Sequence, residues 1–535
     1  MEHTCADALV ECLVAAGIDT VYGVPGEHCL DIVDAIGRHP KIRLVTVRHE
    51  SNAAFMADAD AKLTGRVGAC LGTASVGAVN LMSGLNVAHH DSTPVVALLG
   101  QVGTNLRGRD AWQELDLATL LAPLSRYAVE VTRPDRVPEF AMRALAASRA
   151  GRPGPVTIAL PEDVARRGCD TPTPPLPAPH PPGLTPEDAD EVVARLRAAR
   201  RPVILAGGGV ANAGAREDLL RFADATGVPV ATAFRRPDVF PGGHPGHVGS
   251  LGLGSTPRTT RVLHAADLLL VLGSRLSELT TLRYTVPSPE QDVVHIDVDA
   301  GTLARQQPRP GLGLVADAGA ALRALQLAWP DGVRVPHWWT DDGDAADAEP
   351  GPAGRPTPAA WNTVADHLER LLPDDAVLTS DAGDFFVPVA RAVTLGRRRR
   401  YLGPTSGTMG YGVPAAIAAK LAAPHRTVVA VCGDGGFGMS LVELATAVRD
   451  QVPVVVVVFN DETYGSIERH QKNRYDGRLV GVGLQNPAFD RLAEAFGAYG
   501  ERVREPDEFP AAFARAAASG LPAVLEVPAG EETVA

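Results

Sequence analysis

Apolar and polar positions alternate along this chain in a repeating way. Short apolar runs are separated by alanine-rich stretches whose apolar residues recur every three or four positions. In the first third the runs are "IRLVTVRH" (42–49), "RVGACLGT" (66–73) and "TPVVALLGQ" (93–101). In the middle they are "RPVILAGGGV" (201–210), "ADLLLVLGSR" (266–275) and "DVVHIDVD" (292–299). In the last third they are "AVLTSDAG" (376–383), "TVVAVCGDG" (427–435) and "VPVVVVVFND" (452–461). Each reads as a strand, and the stretches between read as helices. The run "VPVVVVVF" (452–459) suits a strand buried on both faces. Strand–helix alternation predicts an α/β chain of three doubly wound parallel-sheet domains.

Two seams divide it. "TPTPPLPAPHPPGL" (171–184) is too rich in proline for a helix or central strand. "DDGDAADAEPGPAGRPTP" (341–358) is acidic and rich in Gly, Ala and Pro, and marks a linker spanning 336–358. The expected domains are therefore 1–170, 185–335 and 359–535. The first and third also match locally: "GTASVGAVNLMSGLNVAHHDSTPVVALLG" and "GPTSGTMGYGVPAAIAAKLAAPHRTVVAVCG" both run glycine-rich turn, alanine-rich helix, strand. A duplicated fold is expected.

The 535 residues carry a net charge of −13, which argues against a nucleic-acid partner. The basic run Arg397–Arg400 reads as a solvated loop before a strand. The six cysteines form no CxxC pair and read as reduced, mostly buried thiols. No signal-peptide pattern and no run long enough to span a bilayer is seen, so a cytoplasmic protein without membrane contact is expected.

The candidate chemistry starts at "VVAVCGDGGFGMS" (428–440). Gly435 and Gly436 leave backbone N–H groups open to a phosphate at the start of a helix patterned Leu441, Leu444, Ala445, Val448. Asp434 is placed to hold a cation that holds the phosphates. Asp461 follows it by 27 residues, one helix and one strand later. Asp434, Asp461 and the Thr463 carbonyl then offer three oxygens to Mg2+, which usually takes one or two carboxylates plus phosphate.

GDG followed after about 25 to 30 residues by a strand ending in "ND" resembles the fingerprint of thiamine-diphosphate enzymes, which have Asn where this chain has Asp461. The resemblance implies a carboxylate against the cofactor's pyrimidine ring. "VRHESNAAFMADADAKLTG" supplies Glu50 there, with Ala53, Ala54, Phe55 and Met56 as a dry helix face. It implies that Met409 of "TSGTMGYGVPAA" supports the bent cofactor, with the backbone of Gly407 and Met409 bonded to the ring. It also places Gly383, Gly433, Tyr464, Gly465 and Ile467 at the cofactor. Across all three segments the chain is similar to the acetolactate-synthase-like branch. That implies a pyrimidine-binding, a central and a diphosphate-binding domain, and a homodimer or homotetramer with Glu50 of one subunit facing cofactor held by another.

The family reaction decarboxylates a 2-oxo acid, and the resulting enamine is passed to an acceptor or protonated to an aldehyde. Trp112-Gln113 stands where the synthases have Phe-Gln, and Ile467 where pyruvate decarboxylases carry an acid. Glu27 replaces a synthase glycine, His28 follows it, His470 replaces a tryptophan and Val76 a proline. Glu27, His28, Gln113 and His470 are the candidate catalytic residues beside Glu50. The departures from the synthases give a pocket more polar than one built for two pyruvates, with Glu27 and His470 placed for proton transfer or for binding a polar substrate. A specialised decarboxylase or carboligase is expected over a housekeeping acetolactate synthase. A pyruvate-oxidase-like flavoenzyme and a non-catalytic cofactor-binding paralogue are the alternatives. The middle segment, with "LAGGGVANAGA", "GSLGLGST", "GSRLSELTT" and "HIDVDA", resembles the FAD-binding domain of the synthases, and FAD is a candidate second cofactor.

Overall fold

The nine runs all form strands, and nine further strands complete three sheets. The computed structural model describes residues 3–176, 180–252, 254–305, 309–339 and 358–530. The first sheet holds β1 (Thr20–Gly23), β2 (Arg43–Thr46), β3 (Gly68–Thr73), β4 (Val95–Gln101), β5 (Tyr127–Glu130) and β6 (Pro155–Pro161), in the order β2-β1-β3-β4-β6-β5. The second holds β7 (Pro202–Ala206), β8 (Val230–Thr232), β9 (His247–Ser250), β10 (Leu268–Leu272), β11 (Asp292–Asp297) and β12 (Leu312–Val315), in the order β12-β11-β10-β7-β8-β9. The third holds β13 (Val377–Ser380), β14 (Arg400–Leu402), β15 (Val428–Gly433), β16 (Val455–Asn460), β17 (Tyr499–Arg502) and β18 (Ala523–Pro528), in the order β14-β13-β15-β16-β18-β17. Every pairing within the three sheets is parallel.

The first and third sheets have the same strand permutation, as a duplicated fold requires. The equivalent units differ from those that the local repeat suggested. "GTASVGAV…" joins the third strand of its sheet to the fourth, β3 to β4. "GPTSGTMG…" joins the second to the third, β14 to β15. The true counterpart of helix Gly412–Ala422 is helix Glu50–Thr64, and the two pack face to face. Their apolar residues share one core cluster, including Ala53, Phe55, Met56, Val413 and Ile417. Beside this contact Glu443, in the 3-10 turn Leu441–Glu443, ties the third segment to the start of helix Glu50–Thr64: it accepts the Arg48 N–H at 3.0 Å and the Asn52 amide at 2.8 Å.

The core follows the apolar pattern. Every residue of β16 is buried, and each of its valines is worth roughly 1.5–3 kcal/mol relative to exposure. The middle sheet has the order of dinucleotide-binding sheets, with its topological switch between β7 and β10. Gly207 and Gly209 are required there, because a Cβ would stand 2.4 Å from the Gly273 carbonyl oxygen and 2.6 Å from its Cα, respectively.

Three expectations are adjusted. The helix after GDG starts at Asp434 itself and is broken: Asp434–Ser440, a 3-10 turn, then Leu444–Arg449, with Leu444 and Ala447 as its buried apolar residues. The arginine run is only partly solvated. Arg399 donates to the Pro373 carbonyl at 3.1 Å and Arg400 to Asp238 at 2.9 Å. The linker at 341–358 lies outside the described residues apart from Pro358. All six cysteines are free and buried. No helix among the described residues is long and apolar enough to cross a membrane.

Candidate active site

The carboxyl ends of the third sheet's strands enclose a cavity of about 290 Å³. β13 delivers Gly383, the loop after β14 Gly407 and Met409, and β15 Gly433–Gly436. β16 delivers Asp461, Thr463, Tyr464, Gly465 and Ile467. All the cofactor and metal candidates of the third segment thus line one space. The glycines are needed. A Cβ at Gly435 would stand 2.5 Å from the Tyr464 ring and 3.2 Å from Met409 Cε, and one at Gly436 2.1 Å from Asp381 Oδ2. Gly407 adopts φ +73°, open to glycine at little cost. The result is a turn bare of side chains at a helix start, roofed by Met409 and Tyr464; of the two N–H groups expected to be open to a phosphate, that of Gly435 instead donates to Asp434 Oδ1 at 2.8 Å.

Asp434 is 3% exposed. Burial pushes its carboxyl up, opposed by hydrogen bonds from the Gly435 N–H and the Asn486 amide. Such a carboxylate is costly unless a cation compensates it. Among the described residues no three His, Cys, Asp or Glu side chains gather as a metal cluster. The expected donor set of two carboxylates and a carbonyl does not need one. Behind the turn Asp381 is fully buried, and burial raises it to about 6.

The first segment's candidates stand elsewhere, at the carboxyl ends of the first sheet. Glu50 opens helix Glu50–Thr64, is 7% exposed and accepts the Asn80 amide at 2.9 Å. Glu27 and His28 lie in the turn after β1. That turn packs so closely on β4 that a Cβ at Gly100 would stand 2.2 Å from the His28 carbonyl oxygen. Both His28 ring nitrogens are buried without a hydrogen bond. Nδ1 lies 3.5 Å from Glu162 Oε2, and the ring tilts against Trp112 at 6.0 Å between centroids. Gln113 follows at φ +62°, its backbone carbonyl accepting the Ser75 N–H. None of Glu27, His28, Glu50 or Gln113 lines the cavity of the third sheet. His470 is exposed on helix Gly465–Arg474 and does not line it either.

Two polar residues escaped sequence reasoning. Glu162 follows β6, at the start of helix Glu162–Ala165, as one acid among many on the chain. Asn486 reaches Asp434 across 52 positions with no periodic pattern to announce it. Exposed apolar side chains surround both half-sites: Leu30, Val76, Val79 and Trp112 on one, Met439, Ile467 and Val480 on the other.

A second cavity, about 560 Å³, opens at the switch point of the middle sheet. Gly208, Gly209, Gly273, Asp297 and four arginines (Arg149, Arg152, Arg236, Arg275) line it.

Comparison with known proteins agrees with this layout. Residues 3–120 match the model for the thiamine pyrophosphate enzyme N-terminal TPP binding domain. Residues 189–325 match the central domain and residues 381–527 the C-terminal TPP binding domain. The probable acetolactate synthase large subunit of Methanocaldococcus jannaschii is 33% identical, covering 98% of this chain and 91% of its own. Acetolactate synthase isozyme 3 large subunit of Escherichia coli is 32% identical over 94% of this chain and 90% of its own. A putative thiamine pyrophosphate-containing protein of Bacillus subtilis is 32% identical over 99% and 93%.

Proposed function

The chain belongs to the thiamine pyrophosphate (thiamine diphosphate) enzyme family, as an enzyme of the acetolactate synthase type, and from that premise we propose a magnesium-dependent decarboxylation of a 2-oxo acid, its two-carbon or larger remnant passed to an acceptor or released as an aldehyde. The observation that carries this reading is the cavity of the third sheet. There Asp434 and Asp461 face a glycine strip under Met409 and Tyr464. Asp434, Asp461 and the Thr463 carbonyl would hold Mg2+; the Gly436 N–H would face the diphosphate, the Gly435 N–H being spent on Asp434; Gly407 and Met409 would seat the pyrimidine. The bound cofactor supplies the electron sink for loss of carbon dioxide.

Glu50 holds a proton at the pyrimidine ring nitrogen, and it does so for the cofactor of a partner subunit. The separation of Glu50 from the cavity in one chain supports this, as do the exposed apolar side chains around both half-sites, which mark a surface for a second copy. His28, Glu27, Gln113 and His470 face the substrate, with Glu162 behind His28. The polarity of Glu27, His28 and His470, where the chain departs from the synthases, favours a 2-oxo acid or acceptor with a polar group over two pyruvates. Purified protein given thiamine diphosphate, Mg2+ and a panel of 2-oxo acids, with and without aldehyde acceptors, is expected to turn over a polar member fastest. Efficient acetolactate formation from pyruvate alone contradicts the specialised reading.

The switch-point cavity favours a second cofactor. A dinucleotide-type strand order, close-packed glycines and four arginines suit an anionic dinucleotide, and FAD fits the family resemblance. A purified protein with flavin absorbance is the expected result; a colourless one removes FAD and with it the oxidase alternative.

A further inference from the structure

Asp434 is not held by its own turn alone. The Asn486 amide donates one hydrogen to Asp434 Oδ2 at 2.7 Å and the other to Asn460 Oδ1 at 2.9 Å. Asn460, the last residue of β16, donates to Glu526 Oε1 at 3.0 Å. Glu526 lies on β18, is 1% exposed and accepts the Phe489 N–H at 3.1 Å through its other oxygen. Asp434 Oδ1 accepts the Gly435 N–H at 2.8 Å. The Glu462 N–H also acts on this carboxylate, so three N–H groups fix it and a lone pair is left for a cation.

We propose that Asn486 is the positioning residue of the cation site: its amide, braced by Asn460 and Glu526, fixes the rotation of the Asp434 carboxylate. The inference rests on Asp434 being a magnesium ligand, as proposed above. Mg2+ demands near-ideal octahedral geometry, so a carboxylate free to rotate binds it poorly. The residue type fits the task. A lysine or arginine would compete with the cation for the carboxylate. An aspartate would accept where a donor is needed and would place a third negative charge beside Asp434 and Asp461. An amide donates twice and adds no charge. Asn460 and Glu526 stand on two interior strands, so the position of the amide, and through it of the carboxylate, is set by the sheet.

The test uses Mn2+ as the probe, with free Mn2+ followed by electron paramagnetic resonance in the presence of excess thiamine diphosphate. Asn486→Ala and the near-isosteric Asn486→Leu are compared with the unaltered chain. Loss of such an outer partner typically weakens metal binding about 10- to 100-fold, and that is the expected rise in the Mn2+ dissociation constant for both variants. The melting temperature without metal and cofactor should stay close to the parent's, which a merely structural role would not allow. Glu526→Gln, which leaves Asn486 in place, should weaken binding by a smaller factor. Unchanged or tighter Mn2+ binding in either Asn486 variant overturns the proposal; tighter binding would mean that the amide occupies the cation's place. If the unaltered chain takes up no Mn2+ with thiamine diphosphate, the underlying reading of Asp434 fails instead.

Discussion

Glutamine in place of Glu50 is expected to lower turnover by about 10²- to 10⁴-fold, the range typical for loss of a positioned general acid–base. The change is nearly isosteric. Glu50 is 7% exposed, and its Oε2 accepts the Asn80 amide at 2.9 Å. A glutamine can keep that bond through its carbonyl oxygen, and helix Glu50–Thr64 keeps its contact with helix Gly412–Ala422. The melting temperature and the affinity for thiamine diphosphate with Mg2+ should therefore hold. What disappears is a carboxyl able to share a proton with the pyrimidine. Deuterium exchange at the reactive thiazolium carbon, followed by proton NMR, should slow by a similar factor. Turnover and exchange equal to the parent's would remove Glu50 from the chemistry.

Alanine in place of Asp434 is expected to abolish cofactor retention at ordinary Mg2+ levels. Outer-shell losses alone cost about 10- to 100-fold in metal affinity, so loss of a direct carboxylate ligand should exceed about 100-fold. The unloaded protein should tolerate the change. Burial pushes the Asp434 carboxyl up, so the folded chain bears a cost for holding it charged without a cation, and alanine removes that cost while leaving the Gly435 and Asn486 donors unpaired. Calorimetric titration of thiamine diphosphate against Mg2+ separates the two states of the chain. Binding at the parent's affinity would show that the phosphates are held without this carboxylate.

The legibility of these features differed for physical reasons. Central strands such as β4, β10, β15 and β16 are buried on both faces, and continuous apolar runs announce them. Peripheral strands such as β5, β12 and β14 have three or four residues and mixed exposure, and their composition does not separate them from loops. β18 was masked by Glu526, which is buried but bonded to Asn460. The duplication was visible, yet its register was not, because a glycine turn, alanine-rich helix and strand recur in every unit of such a sheet. Asp434, Asp461 and Glu50 stood out because each lies at a strand end in a restricted local pattern. Asn486 and Glu162 act through contacts between segments far apart in the chain, which spacing along the sequence cannot record. The His28 environment likewise arises from the meeting of β1, β4 and β6 with the loop that carries Trp112.

The central claim is that Glu50 of one subunit serves the cofactor held by Asp434 and Asp461 of another. Co-expressing the Glu50→Gln and Asp434→Ala chains with different affinity tags, and isolating the mixed pool, tests it most directly. In a mixed dimer one site carries both lesions and the other carries neither. Mixed dimers isolated through both tags should show about half of the parent's activity in a two-site dimer, and the unsorted pool about a quarter, far above either variant alone. A mixed pool no more active than the sum of the two variants would contradict the shared site and place Glu50 at the cofactor of its own chain, or away from the cofactor altogether.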